Sequence, residues 1–455
     1  MKSVHITNYY HKSSGGISVA YNKMLEHAER HRRFVRLIVP GEADSVEDVN
    51  EFARIYFVKA GFSPVFDKRY RVMMPWNSYI FDRSRIKTIL RDEKPDMVEI
   101  GEKYTLSLMA GLMRKGIMNV SEKRPMLVHL SCERMDDNIA SFVSSGELAK
   151  RLSRGFIRNY LFPMFDFHLT NSKYTAAELL WAVSADNRSG ALLNLCWRFL
   201  RTPKVNAERR IFVNQCGVDH EIFSSSRANS EVRARVFSEN GFPKEAKVLL
   251  YAGRLSPEKN IALLPDVMRI LAQDRSTDFR LLVAGSGPKA EWLEGQFTEI
   301  GDNRVRMLGN ISDREKLADL FANCDAFIHP NPREPFGIAP LEAMASGLPL
   351  VAPNSGGLLS YANAGNAWLI SPTSVEFAES IRDLFTDAEI LMARIADGEA
   401  TARRFSWTAS IDNLFEIYDL MHKEFSSNRD LYDYKTAPTV DFAAEFQAGI
   451  GSVNQ

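Results

Sequence analysis

The segment Val248-Leu-Leu-Tyr-Ala-Gly-Arg-Leu-Ser-Pro-Glu-Lys-Asn260 decides the fold. Its apolar run, Val248–Ala252, shows no polar alternation and stops at Gly253. Such a run reads as a strand buried on both faces, the kind found in parallel sheets. Pro257 then falls in the first turn of a helix-period segment that extends to about Gln273. Working outward, the same unit recurs on both sides. Toward the N-terminus, strand-like runs lie at Ser3–Asn8, Val35–Val39, Met97–Ile100, Met126–Leu130, Phe167–Asn171 and Ile211–Asn214, with a helix-period stretch at Ile17–Arg30. Toward the C-terminus they lie at Arg280–Ala284, Val305–Leu308, Ala326–His329 and Leu350–Ala352. These are too many for one compact sheet. The expectation is α/β, with two Rossmann-like, doubly wound parallel-sheet domains facing a cleft at the carboxyl ends of their strands. Residues 1–215 form the first domain and 216–404 the second, with the break near Gly217-Val218-Asp219. A helix over 405–426 crosses back to the first domain, and 427–455 is a polar tail.

Composition bounds the function. At 455 residues the chain is long enough for two to four domains. Its 57 Lys and Arg balance 57 Asp and Glu, so no global field points to nucleic acid. Apolar stretches such as Val248–Ala252 and Ala191–Trp197 fall far short of the roughly 20 residues a membrane span needs. The opening MKSVHITNYYHKSSGG lacks the apolar core of a signal peptide. The four cysteines, Cys132, Cys196, Cys216 and Cys324, form no C-x-x-C pair, which argues against structural zinc and against a disulfide framework. A cytoplasmic home is expected.

Four segments carry chemistry. The densest runs from His329 to Pro349: a strand end, a proline-rich loop with Glu334, then a helix that starts near Gly337–Pro340, contains Glu342 and stops at Gly347. The free amides at that helix start make an anion site. One carboxylate can reach a sugar hydroxyl while the other reaches a ribose; equally, each could be a solvated or dipole-complementing acid. In the second segment, Arg254 and Lys259 bracket a helix start, where fixed cations would neutralise a diphosphate. Alternatively, Lys259 pairs with Glu258 or Asp266. The third is Gly15-Gly16, glycines that let backbone amides approach a ligand closely or that simply turn the chain. The fourth is His129, at the end of a strand, which either contacts a sugar or packs in the core. Gly285-Ser286-Gly287-Pro288 reads as a structural turn.

Taken together, these segments resemble the family 4 glycosyltransferases, retaining enzymes of the GT-B fold. The resemblance is carried by Gly217-Val218-Asp219, Gly253-Arg254, Lys259, Glu334–Gly357 and Phe405-Ser406-Trp407, in the family's order, and in the first half only by Gly15-Gly16 and His129. It implies a hexosyltransferase-like enzyme that moves a sugar from a nucleotide-diphosphate sugar to a hydroxyl of a glycan, lipid-linked saccharide or small molecule. It implies that Arg254 and Lys259 bind the diphosphate and that Glu334 holds the transferred sugar. The backbone of Phe336, Gly337 and Ile338 would lie close to sugar and phosphate, Glu342 would bind the ribose, Gly16 would approach the phosphate, and His129 would contact the sugar. The nucleotide base is expected near Gly309–Ser312. Departures are Gln215-Cys216 before Gly217, Asn260 where glycine is common, and Ser286 where aspartate is frequent.

Breaking the anomeric C–O bond separates an oxocarbenium-like sugar from a diphosphate anion. Cations and helix amides stabilise that anion, so neither a metal nor another cofactor is expected. For retaining members of this fold the resemblance implies front-face attack, with the leaving phosphate accepting the proton. Alternatives are a non-catalytic GT-B partner subunit and a sugar-nucleotide epimerase; the joint presence of Arg254, Lys259, Glu334 and Glu342 speaks against the subunit. Finally, residues 150–210 hold eleven Lys and Arg against four Asp and Glu. That surplus is either an ordinary solvated face or a peripheral contact with anionic membrane.

Overall fold

The computed structural model describes residues 1–10, 15–63, 70–142, 146–184, 197–203, 205–300 and 303–433. The chain divides into two compact units, Met1–Gln215 together with the segment from Thr408 onward, and Cys216–Trp407.

The first unit is built on strands β1 (Lys2–Ile6), β2 (Phe34–Gly41), β3 (Ser45–Asp48), β4 (Ala53–Lys59), β7 (Met97–Ile100), β8 (Met126–Ser131), β9 (Phe167–Thr170) and β10 (Ile211–Val213), with β5 (Gly61–Phe62) and β6 (Arg71–Val72) as a separate small pair. The main sheet has the order β10-β9-β8-β7-β1-β2-β4-β3. All its pairs are parallel except that of the edge strand β3 with β4. Strands β3 to β6 were not expected. Ala53–Lys59 carries Arg54 within its apolar run, which hid it, and β3 is exposed along its whole length.

The helix Trp407–Ser427 supplies part of this unit's core through Phe415, Tyr418, Met421 and Phe425. Its Asp412 accepts from Arg30 at 3.0 Å and His31 at 2.7 Å. Tyr418 donates to Glu99, a fully buried carboxylate that His5 also contacts at 2.9 Å. The expected loose tail from 427 needs correction over its first residues. Arg429–Tyr432 is helical, Tyr432 is wholly buried, and Asp433 takes Arg124 at 2.7 Å. An aromatic side chain and an ion pair anchor what composition alone made look free. Residues 434–455 lie outside the described residues.

The second unit carries strands β11 (Lys247–Ala252), β12 (Phe279–Ala284), β13 (Val305–Gly309), β14 (Ala326–Ile328), β15 (Leu350–Pro353) and β16 (Trp368–Ile370). They form one parallel sheet of order β13-β12-β11-β14-β15-β16. Leu249 and Tyr251 enter the core on one face, with Leu264, Val267, Phe377 and Ile381. Val248 and Leu250 enter the core on the other, with Phe321, Phe327 and Leu341. The continuous apolar run of β11 is thus used on both sides.

One element differs from expectation. The helix placed over Pro257–Gln273 is broken: Pro257–Lys259 is a 3-10 turn, Asn260 is left-handed at φ 53°, and the α-helix is Leu263–Leu271. A left-handed residue cannot continue a right-handed helix, and asparagine tolerates that conformation better than most side chains. No helix among the described residues is long and apolar enough to cross a membrane.

Candidate functional site

In the second unit the chain winds from β11 to β12 and β13 on one side and, through β14, to β15 and β16 on the other. The carboxyl ends of β11 and β14 therefore flank the point where strand order reverses, the place where open α/β sheets bind ligands. Loops from both ends meet there, and Asn260 Nδ2 donates to the carbonyl of Pro330 at 3.0 Å.

Glu334 lies in the loop after β14 and is only 8 % exposed. Lys259 Nζ donates to its two oxygens at 2.8 and 3.1 Å, and Asn331 Nδ2 donates at 2.8 Å. His329 Nε2 stands 3.4 Å from the same carboxylate. Burial by itself pushes the Glu334 carboxyl up, but Lys259 and His329 outweigh it and hold the group well below the usual carboxylate range. Lys259 therefore pairs with neither Glu258 nor Asp266. It belongs to the 3-10 turn and not to a helix start, which corrects the bracketing expected from the sequence. Arg254 is half-buried between β11 and that turn, and its carbonyl accepts from Tyr251 at 2.9 Å.

The helix Ile338–Ala345 begins beside Glu334. Gly337, at its N-cap, is left-handed at φ 91°, and its carbonyl accepts from Tyr361 at 2.5 Å. A Cβ at Gly337 would stand 2.8 Å from that hydroxyl. The first amides of the helix have no intrahelical partner and carry its positive dipole end. Phe336 is buried, packed 5.3 Å from the Tyr361 ring, so only its backbone could meet a ligand.

Glu342 lies inside the same helix, nearly buried, with Arg314 Nη2 at 3.6 Å. Burial pushes its carboxyl up to about 7; Arg314 opposes this and Asp219 adds to it. Two glutamates, one just before this helix and one inside it, thus have opposite electrostatic settings.

Close backbone approach explains other glycines. A Cβ on Gly357 would stand 1.8 Å from the carbonyl of Pro335, and the Gly357 amide donates to the carbonyl of Glu334 at 2.6 Å. Gly285 and Gly287 lie against Gly253 and Leu255 in the same way, so that turn is a packing feature of the β11 and β12 exits.

In the first unit, Gly16 opens the helix Gly16–His27, with Gly15 as its N-cap; residues 11–14 before them lie outside the described residues. His129 is corrected. Its ring is fully buried, with Nδ1 3.2 Å from His168 Nδ1 and the Phe165 ring at 5.2 Å. Burial, with Lys103 nearby, lowers its pKa well below the ordinary value. It is a packed, neutral core histidine with no face open to a sugar. The basic stretch is also divided in its use. Arg210 is buried with Nη1 donating to the Phe165 carbonyl at 3.1 Å, and Arg154 covers Trp181 at 4.4 Å. In the helix Glu147–Phe156, by contrast, Leu148 and Leu152 are exposed beside Lys150 and Arg151. Residues 185–196 and 204 of that stretch lie outside the described residues.

Sequence reasoning missed Asn331, His329, Arg314, Asn260 and Tyr361 as parts of this site. The first two flank Glu334 closely enough to have been suspected. Arg314 and Tyr361 are distant in sequence from the carboxylate and the glycine they meet, and no local pattern marks them.

Residues 232–400 match the family model described as glycosyl transferases group 1. The GDP-mannose-dependent alpha-(1-6)-phosphatidylinositol dimannoside mannosyltransferase of Mycobacterium tuberculosis is 25% identical over 407 residues, 90% of this chain and 93% of that protein. A D-inositol 3-phosphate glycosyltransferase of Corynebacterium efficiens is 31% identical over 217 residues, 46% of this chain and 50% of that one. Among solved structures, sucrose-phosphate synthase from Thermosynechococcus elongatus has a TM-score of 0.67 at 16% identity, over 94% of this chain and 100% of that one. That likeness is one of fold, the GT-B fold.

Proposed function

We propose that this chain, which belongs to the family 4 glycosyltransferases and moves a sugar from a nucleotide-sugar donor, does so with retention at the anomeric carbon and without a metal. The Lys259–Glu334 ion pair, set between the strand-order reversal and the start of the helix Ile338–Ala345, carries this reading. On donor binding the diphosphate competes with Glu334 for the Lys259 ammonium. Arg254 and the amides of Gly337 and Ile338 add further positive charge, and the released Glu334 carboxylate, still held by Asn331, accepts from hydroxyls of the transferred sugar. Glu342 accepts from the ribose.

In the transfer, the acceptor oxygen forms a bond to the anomeric carbon as the bond from that carbon to the diphosphate breaks. The departing phosphate oxygen takes the acceptor's proton, so no protein base is required. The negative charge that develops on the leaving group is met by fixed cations and helix amides. The acceptor is a glycan or lipid-linked saccharide. The helix Glu147–Phe156 touches anionic membrane through its exposed leucines and neighbouring cations, on the cytoplasmic face. Flotation with anionic but not with zwitterionic liposomes is the expected result; equal recovery would count against that contact.

A thermal-shift panel of UDP, GDP and ADP on wild type and Lys259→Ala tests the donor site. A ligand that binds only the native state raises its apparent stability. One nucleotide should raise the wild-type melting temperature, and the variant should lose that increment whatever its own baseline. With the donor known, turnover should persist in EDTA, and NMR of the product should show the donor's anomeric configuration. An inverted product or a chelator-sensitive rate would overturn the respective part.

A further inference from the structure

A second site lies in the first unit, at the carboxyl ends of β2 and β4. Gly41 and Lys59 are register partners at those ends, and the chain leaves them through Asp44 and through Ala60 and Gly61. Together with Arg71, Asn77 and Arg85 these residues line a hollow of about 500 Å³. Carboxyl ends of parallel strands are where such sheets receive ligands.

The hollow is cationic and incompletely satisfied. Lys59, Arg71 and Arg85 face one lining carboxylate, Asp44. Asp44 spends one oxygen on the Lys59 amide at 2.7 Å, and its other oxygen is 3.9 Å from Arg85 Nε, too far for a hydrogen bond. Arg85 Nε is buried without a hydrogen-bond partner among the described residues, which is costly unless a ligand or water supplies one. Arg71 donates to the carbonyl of Ala60 at 2.9 Å and to Glu42 at 3.2 Å. The Glu42 side chain is 88% exposed, a weak and exchangeable partner. Arg85 also opens the helix Arg85–Glu93, and the preceding Ser84, nearly buried, makes no side-chain cap bond to it. Its hydroxyl has no partner among the described residues either. The helix start thus adds amides and dipole to a set of cations.

The surroundings are apolar and exposed. Phe62, next to Gly61, is 61% exposed and its ring lies under the Arg71 guanidinium at 4.3 Å. Trp76, next to Asn77, is 53% exposed, and Phe81 66%. Exposed large apolar side chains beside a charged hollow mark a binding surface.

We propose that this hollow binds the phosphate of an anionic amphiphile, with Lys59, Arg71 and Arg85 on the anion and Phe62 and Trp76 along its apolar part.

The experiment is calorimetric titration of the full chain with dihexanoyl phosphatidic acid below its micelle concentration. Glycerol 3-phosphate serves as the headgroup alone and dihexanoyl phosphatidylcholine as the neutralised amphiphile. Phosphatidic acid should bind most tightly, glycerol 3-phosphate more weakly, and phosphatidylcholine not measurably. Lys59→Ala with Arg85→Ala should weaken phosphatidic acid about tenfold or more. Phe62→Ser with Trp76→Ser should reduce phosphatidic acid to the level of glycerol 3-phosphate and leave the latter unchanged. The thermal shift by nucleoside diphosphate should survive in all variants, which shows them folded and separates the two sites. Equal binding of phosphatidic acid by wild type and the charge variant overturns the proposal. So does phosphatidylcholine binding as well as phosphatidic acid, glycerol 3-phosphate binding as tightly as the lipid, or capture only on phosphatidic acid vesicles. A missing nucleotide shift in wild type would count against the donor site alone.

Discussion

Glu334 and Glu342 are the same side chain in nearly the same degree of burial, and their neighbours set them apart. Glu334 has Lys259, His329 and Asn331 within reach; Glu342 has Arg314 at 3.6 Å and the like charge of Asp219. The depressed carboxyl of Glu334 contributes stability at neutral pH that is lost as pH falls below the ordinary carboxylate range. Glu342 runs the other way. Its folded value of about 7 lies above the unfolded one, so it costs nothing below about pH 4 and progressively more as pH rises through 7. Glu342→Gln should therefore stabilise the protein at pH 8, by up to about 3 kcal/mol, and change little at pH 5. Melting temperatures at the two values check this. A gain of the same size at both would place its cause outside ionisation. If Glu342 binds the ribose, the same variant should also lose discrimination between ribo- and 2′-deoxynucleoside diphosphates.

At the level of elements, the exits of β11 and β14 are shaped by backbone conformation more than by side-chain volume. Asn260 ends the 3-10 turn in a left-handed conformation and ties it to Pro330. Asn260→Gly keeps the conformation and loses one side-chain hydrogen bond, so a cost of about 1 kcal/mol is expected. Asn260→Val adds β-branched strain at positive φ and should cost about 2 kcal/mol more. Urea unfolding of the pair measures that difference, and equal costs would show that the left-handed turn is dispensable. Gly357 makes the parallel case: a methyl group there meets the Pro335 carbonyl at 1.8 Å, so Gly357→Ala must push the Glu334 loop outward. It should lose about 1–3 kcal/mol of stability and with it the nucleotide-induced thermal shift.

On the scale of the whole molecule, the first unit is completed from the far end of the chain. Asp166 is buried between Arg114 at 2.5 Å and Arg124 at 2.7 Å, which hold its carboxyl at about 2 against the effect of burial. Both arginines also donate to the carbonyl of Tyr432, at 3.0 and 3.1 Å, and Arg124 takes Asp433. Ending the chain at Asn428 would remove a wholly buried tyrosine and take the Tyr432 carbonyl from both guanidinium groups and the Asp433 carboxylate from Arg124. A loss of about 3–5 kcal/mol from the first unit is expected, while the nucleotide shift of the second unit should persist at temperatures where both are folded. Calorimetry of the truncated chain beside the full-length chain measures that loss.

The sequence by itself determined that there are two parallel α/β sheets, because continuous apolar runs such as Val248–Ala252 can be satisfied only by burial on both faces, which local composition records. It also determined the acidic and basic residues around the strand exits and the helix that starts at Gly337, since glycine, proline and charge at loop–helix junctions are local signals. Tertiary structure decided the rest. Whether His129 is a ligand or a core residue depends on His168 and Phe165, which are close in space through strand pairing and invisible in the neighbourhood of His129. That Lys259 meets Glu334, rather than the nearer Glu258 or Asp266, follows from two strands lying side by side. The edge strand β3 and its partner β4, the anchored Tyr432 and the cationic hollow around Lys59, Arg71 and Arg85 likewise come from packing between segments. Conformational preference is written residue by residue, whereas desolvation and pairing of charge depend on which residues the fold brings together.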